Sequence, residues 1–219
     1  MSLAKSGPWR RPLGEVRPTA TWAANRLVGR TSRPPEQREY RRSVIFSIGH
    51  STRSIDDFIG LLRAHRVNEV ADIRSIPRSR HNPQFEESAL ARSLRSADIE
   101  YVRIPSLGGL RRPRSDSPND GWRNKSFRGY ADYMATPGFA CGLEELVELE
   151  RTHGPVAMMC AEAVPWRCHR SLVADALVVR GEHVEHILDL GPTQTHRLNP
   201  MARVEDGHII YSKPPDLAV

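Results

Sequence analysis

Two thiols, a carboxylate, an imidazole and a guanidinium fall within eleven positions: Cys160-Ala161-Glu162, a short loop containing Pro165, then Cys168-His169-Arg170. Thiolates are nucleophiles and soft metal ligands, and imidazole moves protons or binds metals. A carboxylate placed beside them must be paired, protonated or used. The residues before the cluster, Pro155 to Met159, read as a short buried strand, and Ser171 to Leu177 read as the opening of an amphipathic helix. The cluster therefore occupies a strand-to-helix turn, where open α/β sheets bind their ligands.

The elements that must position it continue the same alternation. Val44 to Ile48 and Glu69 to Ile73 are strand-like, and Ser54-Ile55-Asp56-Asp57 is a capping box opening a helix with Ile55, Phe58, Ile59 and Leu62 on one face. Leu90, Leu94 and Ala97 mark a second helix, and Ile99 to Ile104 a third strand. A polar loop from Pro105 to about Ser126 is long enough to cover a site. Phe127 to Met134 reads as a short helix, Thr136-Pro137 caps another running to about Arg151, Gly181 terminates the helix after the cluster, and a fifth strand falls at about Val184 to Leu188. This alternation predicts an α/β three-layer sandwich with a mainly parallel sheet of about five strands, flavodoxin- or Rossmann-like in outline.

Parallel strands would bring Gly49-His50-Ser51, Asp72-Ile73-Arg74 and Cys160 to Glu162 to one edge of that sheet. Candidate catalytic groups are Cys160, Glu162, Cys168, His169 and His50; candidate substrate-binding groups are Ser51, Asp72, Arg74, Ser79 and Arg170. Cys160, Cys168 and His169 form a candidate ligand set for zinc or iron, with His50 as a further ligand. Cys168 lies nearer the helix N-terminus and is expected to be the more acidic thiol. Structural alternatives are an ion pair of Glu162 with Arg170 or Arg74, and mutual neutralisation of Asp72 and Arg74. Gly108-Gly109 reads as a sharp turn, and Cys141 as packing within a helix.

Length and composition bound the rest. The 219 residues, 39% of them hydrophobic, suit one sizeable domain, with residues 43–190 as the α/β unit and 191–219 as a C-terminal extension packed on it. No apolar run approaches the roughly 18 residues of a membrane span, and the N-terminus lacks the apolar core of a secretory signal. A cytoplasmic protein with reduced thiols is expected. Residues 1–42 hold ten Lys or Arg against three Glu, a net +7, which leaves 22 basic and 23 acidic groups, net −1, in the remaining 177. That basic segment reads as a disordered tail. Residues 103–128 hold seven basic and two acidic side chains interleaved with Trp122, Phe127 and Tyr130, the composition of a nucleic-acid contact.

The chain resembles the bacterial and archaeal family catalogued as domain of unknown function number 488. The resemblance is carried by Ile48-Gly49-His50-Ser51, Asp72-Ile73-Arg74 with Pro77 and Ser79, Leu107-Gly108-Gly109, Phe127 with Tyr130-Ala131 and Tyr133-Met134, and above all Met159 to Glu162 with Pro165 and Cys168-His169-Arg170. It runs from about Ser43 to Tyr211 and includes His196-Arg197-Leu198 and Pro200. It implies an α/β fold and a site at the Cys-Glu-Cys-His-Arg cluster, and no particular reaction.

Three functions fit these residues. One is a cysteine-dependent enzyme in which a thiolate attacks an electrophile, Glu162 or a histidine moves the proton, and Arg74 and Arg170 hold an anionic substrate. The tight Cys-x5-Arg loop of sulfur carriers and cysteine phosphatases is absent. The second is a zinc or iron hydrolase built on Cys160, Cys168 and His169, with Glu162 serving a bound water; the spacing does not match the zinc deaminases. The third is a non-enzymatic module that binds a nucleotide or nucleic acid. The partner is expected to be an anionic small molecule or nucleic acid and not a membrane; the sequence does not set the oligomeric state.

Overall fold

A computed structural model describes residues 43–213. The expectation of a disordered basic tail at 1–42 lies outside the described residues. Strand β1 (Val44–Gly49) leads into helix α1 (Ile55–Ala64), which starts where the capping box places it. Ser54 Oγ accepts the Asp57 N–H at 3.0 Å, and Asp56 and Asp57 sit at the positive end of the helix dipole. Next come β2 (Glu69–Asp72), α2 (Glu87–Ser96) and β3 (Glu100–Arg103).

Helix α3 (Lys125–Met134) begins two residues before the expected Phe127, because Asn124 accepts the Ser126 N–H and caps it. Thr136 caps α4 (Pro137–His153), with proline at the first helical position. Strand β4 (Val156–Cys160), helix α5 (Arg170–Val179) and β5 (His183–Ile187) complete the repeat. Gly181 adopts φ +88°, the left-handed terminator expected after α5.

The sheet order is β3-β2-β4-β1-β5, all parallel, with β6 (Gln194–Thr195) added antiparallel to the edge of β5. Helices α1 and α2 bury Phe58, Leu62, Leu90 and Leu94 against one face, where Ile48, Val70 and Met159 meet them. Helices α3, α4 and α5 cover the other face through Tyr130, Leu143, Leu146, Leu172 and Val173, against Ile45, Met158 and Val184. This is the three-layer, mainly parallel α/β sandwich that the alternation predicts. The strand order is neither of the common doubly wound ones, since β4 inserts between β2 and β1. That insertion puts the cysteine strand in the middle of the sheet, with a parallel neighbour on each side.

Residues beyond 190 contribute β6 and a hairpin of β7 (Ala202–Glu205) and β8 (His208–Tyr211). Buried Asp175 of α5 ties them down, accepting from Tyr211 Oη at 2.7 Å and from the Asn199 N–H at 3.0 Å, and pairing with His196 Nε2 at 2.8 Å. The long loop between β3 and α3 is also fastened. Asp132 accepts from the Arg114 N–H, Ser117 Oγ and Asn119 Nδ2 at 2.6–2.8 Å. Trp122, a candidate nucleic-acid platform by composition, packs inward against Phe127 and Tyr211 at 4.7 and 5.5 Å between ring centroids. Among the described residues no helix is long and apolar enough to cross a membrane.

Candidate functional site

The C-terminal ends of β1, β2 and β4 are stitched together by backbone hydrogen bonds that continue past the strands. Gly49 is in register with Cys160, the His50 N–H donates to the Cys160 carbonyl at 3.0 Å, and the Ser51 N–H donates to the Ala161 carbonyl at 2.8 Å. On the other side of β4, the Ile73 N–H donates to the Met159 carbonyl at 3.0 Å. The contact at Gly49 is too close for any other residue: a Cβ there would lie 1.8 Å from the Glu162 carbonyl oxygen.

Arg170 closes the turn from within. It is 1% exposed; Nη1 donates to the Glu162 carbonyl at 2.6 Å and Nη2 to the Ala163 carbonyl at 2.9 Å. The guanidinium therefore grips the backbone of the loop rather than the Glu162 carboxylate, so the anticipated side-chain ion pair does not form. Glu162 is left exposed.

This turn brings Cys160 and Cys168 together around His169. Nδ1 of His169 lies 3.8 Å from the Cys160 sulfur and 3.7 Å from the Cys168 sulfur, and all three atoms lie within 4.8 Å of one another. Nε2 of the same ring is 3.1 Å from the Ile73 carbonyl, which can only accept. In the neutral ring the proton thus sits on Nε2, and Nδ1 presents a lone pair to both sulfurs. Tyr130 packs on the imidazole with 5.0 Å between ring centroids, while its hydroxyl is fixed to the Leu107 carbonyl at 2.7 Å.

The thiol pair divides unequally. Cys160 is held well below the usual thiol range by the hydrogen bond from Cys168 and by His169 and Arg170, while Cys168 is pushed up by donating that bond and by its burial. The shifts run in opposite directions because two adjacent buried thiols do not both ionise without a cation.

The other anticipated residues are placed close by, in defined roles. Asp72 and Arg74, 0% and 4% exposed, form a buried pair with Arg74 Nη2 2.6 Å from Asp72 Oδ2 and Nε bonded to both oxygens. The remaining nitrogen, Nη1, meets the Phe85 carbonyl at 2.9 Å and His50 Nε2 at 3.3 Å. Most of the guanidinium is thus engaged inside the protein. His50 stacks on Phe85, its Nδ1 is 2.9 Å from the Ser51 carbonyl, and burial together with the Arg74 charge lowers its pKa. Both ring nitrogens are occupied, and it is not part of the three-atom cluster. Ser51 turns with φ +50°, and Ser79 Oγ accepts the Asn82 N–H at 3.0 Å.

Gly109 lies against the cluster, a position the residue types alone did not mark. Neither Gly108 nor Gly109 has a positive φ, so a sharp turn is not why they are glycine. A Cβ at Gly108 would come 2.9 Å from Ser75 Oγ, and one at Gly109 would come 3.0 Å from His169 Nδ1. The absent side chain at 109 leaves the imidazole lone pair room. The doubled glycine was the available signal.

Two cavities open on this edge. One of about 420 Å³ is lined by Cys160, Cys168, His169, Phe127, Tyr130 and Leu110 among others. An adjoining one of about 300 Å³ carries His50, Ser51, Arg78, Ser79 and Asn82. They share Arg74, Ile76, Ala161 and Glu162 as lining. The predicted site residues thus gather at one edge: Cys160, Cys168 and His169 line the first cavity, His50, Ser51 and Ser79 the second, Arg74 and Glu162 both, and the buried Asp72 and Arg170 neither.

Fold and cluster together define an α/β sandwich protein with a Cys2His site at the carboxyl edge of a parallel sheet. The family model of domain of unknown function DUF488 matches residues 54–177, more than half of the chain and all of the cluster, and the chain belongs to that family. Neither a curated protein nor a solved structure matches it.

Proposed function

We propose that the cluster is a zinc centre and that the protein is a metal-dependent hydrolase of anionic substrates. The observation that carries this is the near-equal spacing of His169 Nδ1 from both sulfurs, 3.8 and 3.7 Å. Tetrahedral zinc with bonds of about 2.3 Å to sulfur and 2.0–2.1 Å to nitrogen sets such ligand atoms about 3.6 Å apart. A nucleophilic thiol needs one sulfur on its base; two at the same distance suit a shared ion. The Nε2–H bond to the Ile73 carbonyl supports this, because metal-bound imidazoles are commonly oriented through their second nitrogen. Three protein ligands would leave a position for water or substrate, and all three line the 420 Å³ cavity.

In this reading Cys160, Cys168 and His169 hold the ion, and Glu162, on the wall of both cavities, takes the proton of a bound water. The ion would supply a water acidic enough to act as a nucleophile near neutral pH, and Glu162 would serve as the acid–base group for that water and for the leaving group. Arg78 and Ser79 receive the substrate's anionic group, and Arg170, His50 and the Asp72–Arg74 pair position the loops. A second reading rests on the same contacts. Without metal, His169 Nδ1 is the proton acceptor for a Cys160 nucleophile facing the cavity.

Elemental analysis of untagged protein purified under reducing conditions, beside a Cys168→Ser variant, separates the two. Near-stoichiometric zinc that disappears in the variant is expected. Wild-type protein that neither contains zinc or iron nor takes up added zinc would overturn the metal centre and leave the thiolate reading.

A further inference from the structure

The cavity over the cluster has an apolar rim as well as a polar floor. Ile76 is 61% exposed and Leu110 74% exposed, although burying such side chains is favourable. They come from different loops, after β2 and after β3, and both line this cavity. Leu110 is moreover held at φ +56°, a left-handed conformation unusual for a branched apolar residue. Phe127 and Tyr130 extend the apolar surface inward toward His169.

The adjoining cavity shares Ile76 with the first and is the more polar of the two, although Arg167 also lines the first. Ser51, Thr52, Ser79 and Asn82 line it with polar groups. Its two arginines are not equivalent: Arg74 is neutralised by Asp72, whereas Arg78 is exposed and makes no ion pair among the described residues. Arg78 is therefore the charge on that side available to a ligand.

We infer that the substrate is an amphipathic anion, with its apolar part on Ile76 and Leu110, its anionic group at Arg78, and the reacting bond between them at the cluster. This rests on the hydrolytic reading of the same cavity and names the substrate class which that reading leaves open. Neither part alone spans both compartments, so each should bind weakly.

Calorimetric titration of the full chain with phenylphosphonate, inorganic phosphate and phenol tests this. Phenylphosphonate is expected to bind at least tenfold more tightly than either fragment. Leu110→Gly, which suits the φ at that position, should reduce its affinity to that of phosphate; Arg78→Ala should reduce it to that of phenol. Unchanged thermal unfolding of both variants is the accompanying control on folding. Equal binding of phenylphosphonate and phosphate by the wild type, or an undiminished preference in Leu110→Gly, overturns the inference. Metal content is measured on the same samples, so the two proposals fail separately. Protein that neither contains metal nor takes up added zinc but keeps the probe preference sinks the zinc centre alone, and zinc-loaded protein with a flat preference sinks the substrate class alone.

Discussion

Replacing Gly49 by alanine tests the close approach on which the site depends. The added Cβ would lie 1.8 Å from the Glu162 carbonyl oxygen and 2.9 Å from Arg170 Nη1. Ordinary contact begins at 3.4 Å, so the end of β1 and the turn after β4 must separate by about 1.6 Å. The obstacle is backbone, which cannot rotate away. Overpacking of this kind costs about 1–3 kcal/mol. Parting the strands also weakens the bonds from His50 and Ser51 to the Cys160 and Ala161 carbonyls, adding about 1 kcal/mol.

The expected loss is therefore about 2–4 kcal/mol, and on the zinc reading metal uptake should fall in parallel because the cysteine turn is displaced. Gly60→Ala is the matched control. That glycine lies inside α1 with nothing within 4 Å of its added Cβ, and alanine there should stabilise by about 0.5–1 kcal/mol. Urea unfolding of both variants, compared at a common m-value, reads the difference. If Gly49→Ala unfolds within about 1 kcal/mol of Gly60→Ala, the approach of β1 to the Glu162 carbonyl is not as described.

Two further predictions concern buried charge. Asp72→Asn leaves Arg74 buried without its counter-ion and should cost about 3 kcal/mol. The double variant Asp72→Leu with Arg74→Met should lose less, and a double-mutant cycle that shows no coupling would refute the pairing. Stability should also vary with pH in two opposite ways. Burial raises Glu150 to about 7, so its contribution is complete below the ordinary carboxylate pKa and is lost as pH rises through 7. Burial, with His196 and Arg170 nearby, lowers His186 to about 4, so its contribution is present above the ordinary histidine pKa and is lost as pH falls toward 4. Glu150→Gln should reduce the decline between pH 5 and 8 by about 2 kcal/mol. A decline of unchanged size in that variant would assign it to another group.

Several features were legible from local sequence because their causes are local. The Ser54 and Thr136 caps, the left-handed Gly181 and the apolar periodicity of α1 and α2 depend on residues within a turn or two. The gathering of His50, Asp72, Arg74 and Cys160 at one edge followed from a single inference, that alternating strands and helices make a parallel sheet. The boundary of α3 was misplaced because its cap, Asn124, sits in a loop whose course is set by Asp132.

What the sequence by itself determined is the alternation of strands and helices, the family, and the collection of thiols, imidazole, carboxylate and guanidinium delivered to one turn. Only the tertiary structure decided how those groups are used. The insertion of β4 between β2 and β1 gives His169 the Ile73 carbonyl, which orients Nδ1 toward both sulfurs. Arg170 binds backbone carbonyls of its own turn and Asp72 takes Arg74, so two arginines that looked available to substrate are internal. The reason is physical: the Ile73 carbonyl reaches His169 from 96 positions away in the chain, and even for the arginines, whose partners are local, it is burial by the fold that turns each guanidinium inward.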